Sequence, residues 1–308
     1  MGNVFQFGWE VTLIEWLQET VAQLPFLKTL AVMITTIGEP GLTVVLIGYL
    51  YFGYLKDTSI YFTMCLAGTQ LFNSMIKNIF DRLRPYFANE TIECLKVPED
   101  KYDMYDVSKQ GYSFPSGHSS NAAALLTALW YKTKNRKILL WGSIIVFLIG
   151  LSRSTLGVHY PSDVLCGFAS GIGITTLIEY TNKKVEKKKY YMIILFFSSL
   201  GLFFCETNDY FSTLGLIYGF TLGNLFEEKY VKFKETRNVL TILIRTAIGG
   251  LLFFAVSNLI KLPFSAEFLD SATIASHLLR TFRYFCSTFV TIGLSPYLFK
   301  IPFLKASE

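Results

Sequence analysis

Apolar residues run through this chain in long blocks, and the polar residues between them gather in short clusters. From residue 42 onward nine blocks read as helices that cross a bilayer, at about 42–55, 59–80, 115–131, 138–152, 161–180, 190–205, 210–226, 238–260 and 284–300. The first is short and draws on apolar residues before the break Gly38-Glu39-Pro40-Gly41. Ahead of them, Trp9, Val11, Leu13, Ile14, Trp16, Leu17, Val21 and Leu24 recur at helical spacing among Glu10, Glu15, Gln18, Glu19 and Gln23. That pattern predicts a helix lying at the interface and packed against the rest of the protein. The expected fold is therefore all-α, a polytopic membrane bundle of about nine spans behind an interfacial helix.

Composition supports this. The 308 residues are 52% hydrophobic and 16% aromatic, and the mean hydropathy is positive, which an ordinary soluble domain does not show. The net charge of +5 suggests nucleic acid at first sight, but the basic residues sit in short loops and form no patch, so no nucleic-acid partner is expected. The N-terminus has no basic region ahead of an apolar one, so no cleavable signal peptide is expected. Of five cysteines, Cys65, Cys166, Cys205 and Cys286 lie in apolar runs and Cys94 in a polar loop. They have neither disulfide nor metal spacing, and read as small apolar fillers.

Polar positions inside the blocks carry more information. Gln70, Asn73, Ser74 and Lys77 share a helical face, with interhelical hydrogen bonding the reading for Gln70 and Asn73 and phosphate binding for Lys77. In the fifth block Asp163, Gly167, Ser170, Gly171 and Ile174 form a face of small residues suited to close helix approach. Gly215, Gly219 and Gly223 form a second such face, read as internal packing with a homodimer contact as the alternative. Arg245 lies within the eighth block, where a snorkelling side chain or an internal partner is expected. His277 stands without a motif and reads as a packing or surface residue.

The chemistry gathers in three places. Ser152-Arg153-Ser154-Thr155-Leu156-Gly157-Val158-His159-Tyr160-Pro161-Ser162-Asp163 is a polar island between apolar runs, costly at a membrane edge without a task. His159 and Asp163 are four apart across Pro161, so a carboxylate can hold one ring nitrogen and leave the other as nucleophile or base. Arg153 offers a planar fork for phosphate oxygens. Pro115-Ser116-Gly117-His118 opens another apolar run, where the Ser116 and Gly117 N–H groups form an anion site at a helix N-terminus. Lys77 is followed by Arg84-Pro85.

Together these read Lys-x6-Arg-Pro, Pro-Ser-Gly-His and Ser-Arg-x5-His-x3-Asp, and the pattern resembles the type 2 phosphatidic acid phosphatase (PAP2) family of membrane phosphatases. The resemblance covers roughly Lys77 to Asp163. It implies a metal-independent phosphoric ester hydrolase without cofactor, acting on a lipid phosphate in the bilayer such as phosphatidate or a sphingoid phosphate. His159 would attack phosphorus, Asp163 orient it, and His118 protonate the leaving oxygen and then activate water. Lys77, Arg84 and Arg153, with the N–H groups of Ser116 and Gly117, would hold the phosphoryl oxygens. The alternatives are a polyprenyl (undecaprenyl) diphosphate, a soluble sugar phosphate, or, in another class, a lipid phosphotransferase or a transporter that keeps the phosphate site. The chain then divides into an interfacial segment (1–36), a PAP2-like membrane core (37–182) and a four-helix extension (183–308).

Charge asymmetry sets the expected orientation in a cell membrane. Lys56, then Lys132, Lys134, Arg136 and Lys137, then Lys183, Lys184 and Lys187 to Lys189, then Lys229, Lys232, Lys234 and Arg237, and finally Lys300 and Lys305, fall in alternate connections. These belong in the cytoplasm by the positive-inside rule. The acidic loop 86–114, with Glu90, Glu93, Glu99, Asp100, Asp103 and Asp106, lies opposite with all three motifs, as a lid or a solvated surface. The site is thus expected to be extracytoplasmic, with the N-terminus on the same side.

Overall fold

The computed structural model describes residues 5–96, 104–301 and 304. Glu99, Asp100, Asp103 and Lys305 lie outside the described residues. In chain order the helices are α1 (Gly8–Gln23), α2 (Phe26–Ile37), α3 (Pro40–Phe52), α4 (Lys56–Phe80), α5 (Pro85–Ala88), α6 (Val107–Gln110) and α7 (Gly117–Thr133). They continue as α8 (Arg136–Thr155), α9 (Pro161–Lys184), α10 (Lys187–Ser199), α11 (Asn208–Phe226), α12 (Val239–Lys261), α13 (Ala266–Asp270) and α14 (Ile274–Phe289). No strand occurs among the described residues, and the fold is all-α.

Four stretches among the described residues are long and apolar enough to cross a membrane: Phe26–Phe52, Arg136–Thr155, Pro161–Lys184 and Val239–Lys261. The remaining expected spans are helical but too short, as α7 with 17 residues and α10 with 13, or not apolar enough. The first apolar stretch does take in residues before the Gly38 break. Large apolar side chains point outward along these helices, Trp141, Phe147, Leu251 and Phe254 among them, which suits lipid and not water.

The chain forms two compact units, one of residues 1–40 and 72–184, the other of 41–71 and 185–308. These differ from the three consecutive segments expected from the sequence. The segment 41–71 groups with the C-terminal helices, and the N-terminal helix groups with α7, α8 and α9.

In the first unit α7 and α9 pack closely because their facing residues are small. A Cβ on Gly167 would meet the Ser116 carbonyl and Ser119, and one on Gly171 would meet the Ser120 carbonyl, Ala123 and Ala124. Buried Asn73 donates to Ser120 Oγ and accepts from Ser170 Oγ at 3.1 Å, joining α4, α7 and α9. Helix α1 docks through Ile14, buried with Ala31, Tyr86, Ile92, Leu156, Val158 and Tyr160. Gln18 fixes it further, donating to the Glu93 carbonyl at 2.8 Å and accepting the Glu93 N–H at 3.0 Å. Gly157 has φ +74°, and a Cβ there would strike the Glu93 carbonyl, so this turn requires glycine.

In the second unit the Gly215, Gly219 and Gly223 face of α11 is filled by Thr281, Tyr284, Phe285 and Thr288 of α14 and by Ile292 just beyond it. That face therefore serves packing within the chain. Arg245 finds internal partners: Nε and Nη2 donate to the Leu304 carbonyl at 3.0 and 2.6 Å, and Nη1 to the carbonyls of Phe52 and Lys234. His277 is buried and stacks on Phe211 at 4.2 Å between ring centroids.

Gly171→Ala should lower thermal stability in detergent by about 1–3 kcal/mol, since its methyl group meets α7 backbone. Gly173→Ala, on the same helix with open space around it, should be neutral or slightly stabilising. Equal melting temperatures for the two variants would show that the α7–α9 contact is not this close.

Candidate functional site

All eight residues singled out from the sequence lie in the first unit: Lys77, Arg84, Ser116, Gly117, His118, Arg153, His159 and Asp163. Lys77 stands in the last turn of α4, Arg153 in the last turn of α8, and His118 in the first turn of α7. Pro161 begins α9 and Asp163 sits in its first turn, as the Pro-Ser-Asp sequence favours.

Asp163 is fully buried and both its oxygens accept hydrogen bonds. Its Oδ2 accepts the Tyr160 N–H at 2.8 Å and the Ser113 hydroxyl at 2.5 Å, while Oδ1 accepts from Arg82 Nη1 at 2.5 Å. His159 Nδ1 lies 3.6 Å from Asp163 Oδ2, beyond hydrogen-bond range, and 3.4 Å from Ser113 Oγ. The carboxylate thus holds the ring less directly than the spacing of four suggested, with the Ser113 hydroxyl set between the two. Nε2 is left on the opposite edge of the ring.

His118 and His159 are electrostatic neighbours, and Arg153, Lys96 and Arg84 act on His118 as well. The Nε2 of His118 is buried with no hydrogen-bond partner among the described residues. Arg153, buried, donates from Nη1 to Thr35 Oγ1 on α2 at 2.7 Å, and its Nε likewise has no partner among the described residues. Arg84 braces two loops: Nε donates to the Gly111 carbonyl at 3.1 Å, Nη2 to that of Gln110 at 2.5 Å and Nη1 to that of Val158 at 3.3 Å. Part of its donor set is therefore committed to backbone beside His159.

One expectation needs correction. The Ser116 N–H donates to the Asp163 backbone carbonyl at 3.0 Å, so it fastens α7 to α9 and is not available to an anion. Its hydroxyl accepts from Ser119 at 2.9 Å. Gly117 is the first residue of α7.

Several site residues went unnoticed in the sequence. Ser113 has no periodicity to mark it, and Thr35 stands in an unremarkable apolar block. Arg82 and Glu10 form a buried ion pair at 2.7 Å, with Glu10 contributed by α1. The extra arginine ahead of Arg84-Pro85 was the one visible signal, since a cation there is costly without a partner. Lys96 pairs with Glu39 at 2.5 Å, both part-exposed. No group of three His, Cys, Asp or Glu side chains suited to a metal ion occurs among the described residues.

Burial, and then the cations Arg84, Arg153 and Lys77, hold the His159 imidazole well below the usual histidine range, so the ring is neutral. Burial pushes the Cys94 thiol up, which disfavours its thiolate.

Comparison with known proteins adds to this geometry. Residues 58–187 match the PAP2 superfamily, and residues 211–307 match the transmembrane extension described for PAP2 superfamily phosphatases. Phosphatidylglycerophosphatase B of Bacillus subtilis is 30% identical over 176 residues, 53% of this chain and 79% of that protein. The lipid A 4'-phosphatase of Porphyromonas gingivalis is 31% identical over 105 residues, 33% of this chain, and the undecaprenyl-diphosphatase of Sulfolobus acidocaldarius 34% identical over 121, 36% of this chain. The chain spans only 41% and 51% of those two proteins. The crystal structure of a transmembrane PAP2-type phosphatidylglycerolphosphate phosphatase from Bacillus subtilis aligns with a TM-score of 0.45 and 23% identity, covering 59% of this chain and 90% of that one.

Because the His159 pKa is lowered on folding, the unfolded chain takes up a proton below about pH 6.5 that the folded chain refuses. The residue should leave stability unchanged above that pH and cost about 1.4 kcal/mol for each unit below it, down to its folded pKa. Melting curves of His159→Gln against the parent protein from pH 7.5 to 5 should show the gap change in favour of the variant. Parallel curves would mean that the ring is readily protonated in the folded state.

Proposed function

The chain belongs to the PAP2 superfamily of membrane phosphatases, and on that premise we propose that it hydrolyses a lipid phosphate at the extracytoplasmic face through a phosphohistidine. The observation that carries the proposal is the meeting of the buried His159 imidazole and the half-buried His118 with three cations, Lys77, Arg84 and Arg153, beside one carboxylate.

In this reading His159 Nε2 attacks phosphorus, forming an N–P bond as the bond to the leaving oxygen breaks, and His118 gives that oxygen its proton. His118 then takes a proton from water, whose oxygen attacks the phosphohistidine and releases inorganic phosphate with His159 restored. Lys77, Arg84 and Arg153 meet the charge on the three phosphoryl oxygens. Asp163 and Ser113 fix the ring and stabilise its positive charge in the intermediate. Fixed cations supply what a divalent ion supplies elsewhere, so metal is not required.

The substrate class rests on the apolar outer surface and on relatives that act on phosphatidylglycerophosphate and lipid A. A polyprenyl diphosphate is the second reading, favoured by the undecaprenyl-diphosphatase relative. The side of the membrane rests on the alternation of basic connections. It is supported by α1, whose Glu10 reaches the same end of the unit as Asp163, in keeping with an N-terminus on the site's side.

His159→Ala should abolish phosphate release from all of phosphatidate, phosphatidylglycerophosphate and undecaprenyl diphosphate in detergent, with the fold retained. Activity should survive EDTA, and turnover in oxygen-18 water should place the label in free phosphate. Label-free phosphate esters, with an acceptor lipid required, would point to transfer in place of hydrolysis.

A further inference from the structure

Glu10 and Arg82 have no part in the steps above, yet both are wholly excluded from solvent. Arg82 Nη1 donates to Asp163 Oδ1 at 2.5 Å and to Ser162 Oγ at 2.7 Å, and Nη2 donates to Glu10 Oε2 at 2.7 Å. Its guanidinium lies between the rings of Phe5 and Tyr160, at 4.2 and 3.9 Å from their centroids. The other oxygen of Glu10 accepts the Ser162 N–H at 2.8 Å, at the N-terminus of α9. Glu10 also lies outside the residues that match the family.

Stability alone is a poor account of this arrangement. A buried ion pair is weak support for a fold, because desolvation cancels most of the attraction. Here one cation serves two carboxylates, so the group keeps a net charge of about −1 where water cannot screen it. With Arg82 on Asp163 alone the pair would be neutral, and the aspartate would have little to offer a positive ring. Glu10 draws off that neutralising charge.

We propose that Glu10 is a positioning residue which, acting through Arg82, keeps one negative charge on the Asp163 side of His159 so that the ring can become cationic. This rests on the reading of His159 as the phosphorylated group. Among the described residues, Lys77 from α4, Arg84 before α5, His118 from α7 and Arg153 from α8 also act on that ring, all neutral or positive. Of the groups named, Asp163 with Glu10 behind it supplies the negative charge. The N-terminal helix thus supplies part of the electrostatics of the site.

The test is steady-state kinetics on the full chain in detergent, with phosphatidylglycerophosphate as substrate. Glu10→Gln should lower kcat about tenfold with KM changed less than about twofold, and should move the acid limb of the kcat profile to lower pH. Arg82→Gln removes the cation instead, and should move that limb to higher pH. In the double variant Glu10→Gln/Arg82→Gln the charge returns to Asp163, which Ser113 and the Tyr160 N–H still hold, and kcat should exceed that of Glu10→Gln alone. Gln18→Ala weakens the docking of α1 without a change of charge, so it should lower the melting temperature and leave the limb in place.

A limb that stays put in both single variants, or a double variant no faster than Glu10→Gln, would reduce the pair to a structural tie and overturn the proposal. Should Glu10→Gln not fold, the shift in Arg82→Gln decides alone. An active His159→Ala enzyme would instead defeat the phosphohistidine reading, a result separable from unchanged kinetics in the Glu10 and Arg82 variants.

Discussion

A carboxylate buried at the edge of a membrane is tolerated only if its lone pairs are occupied, and Asp163 satisfies that condition with groups from distant parts of the chain. A guanidinium just beyond α4, a hydroxyl ahead of α7 and the backbone before α9 all donate to its oxygens. Its own carbonyl accepts the Ser116 N–H, which fixes where α7 begins. The position of His118, in the first turn of α7, follows from that contact. The helices of the first unit are thus tied at the point where the candidate site residues stand, and the packing that holds the fold also sets their positions.

Close approach of α7 to α9 is the other half of the same constraint. Gly167 and Gly171 bring the two backbones together along their length, while the Asp163 to Ser116 bond closes the end. The small-residue face of the fifth apolar block announced this packing. It did not announce its consequence, that the Ser116 N–H is used up in making it.

The legible features were those written in local spacing or in compact motifs. Helical character, the polar stripe through Asn73, the capping of α9 by Pro161 and Asp163, and the internal use of the Gly215 face all follow from periods of three and four residues. What was not legible depends on contacts between residues far apart in sequence. Glu10 meets Arg82 across 72 positions, and Arg82 meets Asp163 across 81. No spacing rule links such residues, and an acidic helix at the N-terminus gave only the sense that it packs on the protein. Ser113 escaped for a different reason: a single hydroxyl in a long polar loop looks like any other until the loop is folded. The grouping of residues 41–71 with the C-terminal helices also runs against chain order, which a reading by consecutive segments does not anticipate.

In the proposed mechanism the cations that would draw a phosphate group into this site also decide the state of His159. With burial and the cations Arg84, Arg153 and Lys77 nearby, a proton on His159 is disfavoured, which suits the nucleophilic role proposed for it. Entry of a phosphate dianion cancels much of that positive field, and a ring that then bonds to phosphorus can hold positive charge against Asp163 at lower cost. The same three side chains therefore favour the free base before binding and cease to oppose the cation after it. No moving part is needed for this change, because the substrate's own charge brings it about. In the proposed mechanism a buried negative charge behind Asp163 matters most in the second phase, when the ring would be cationic.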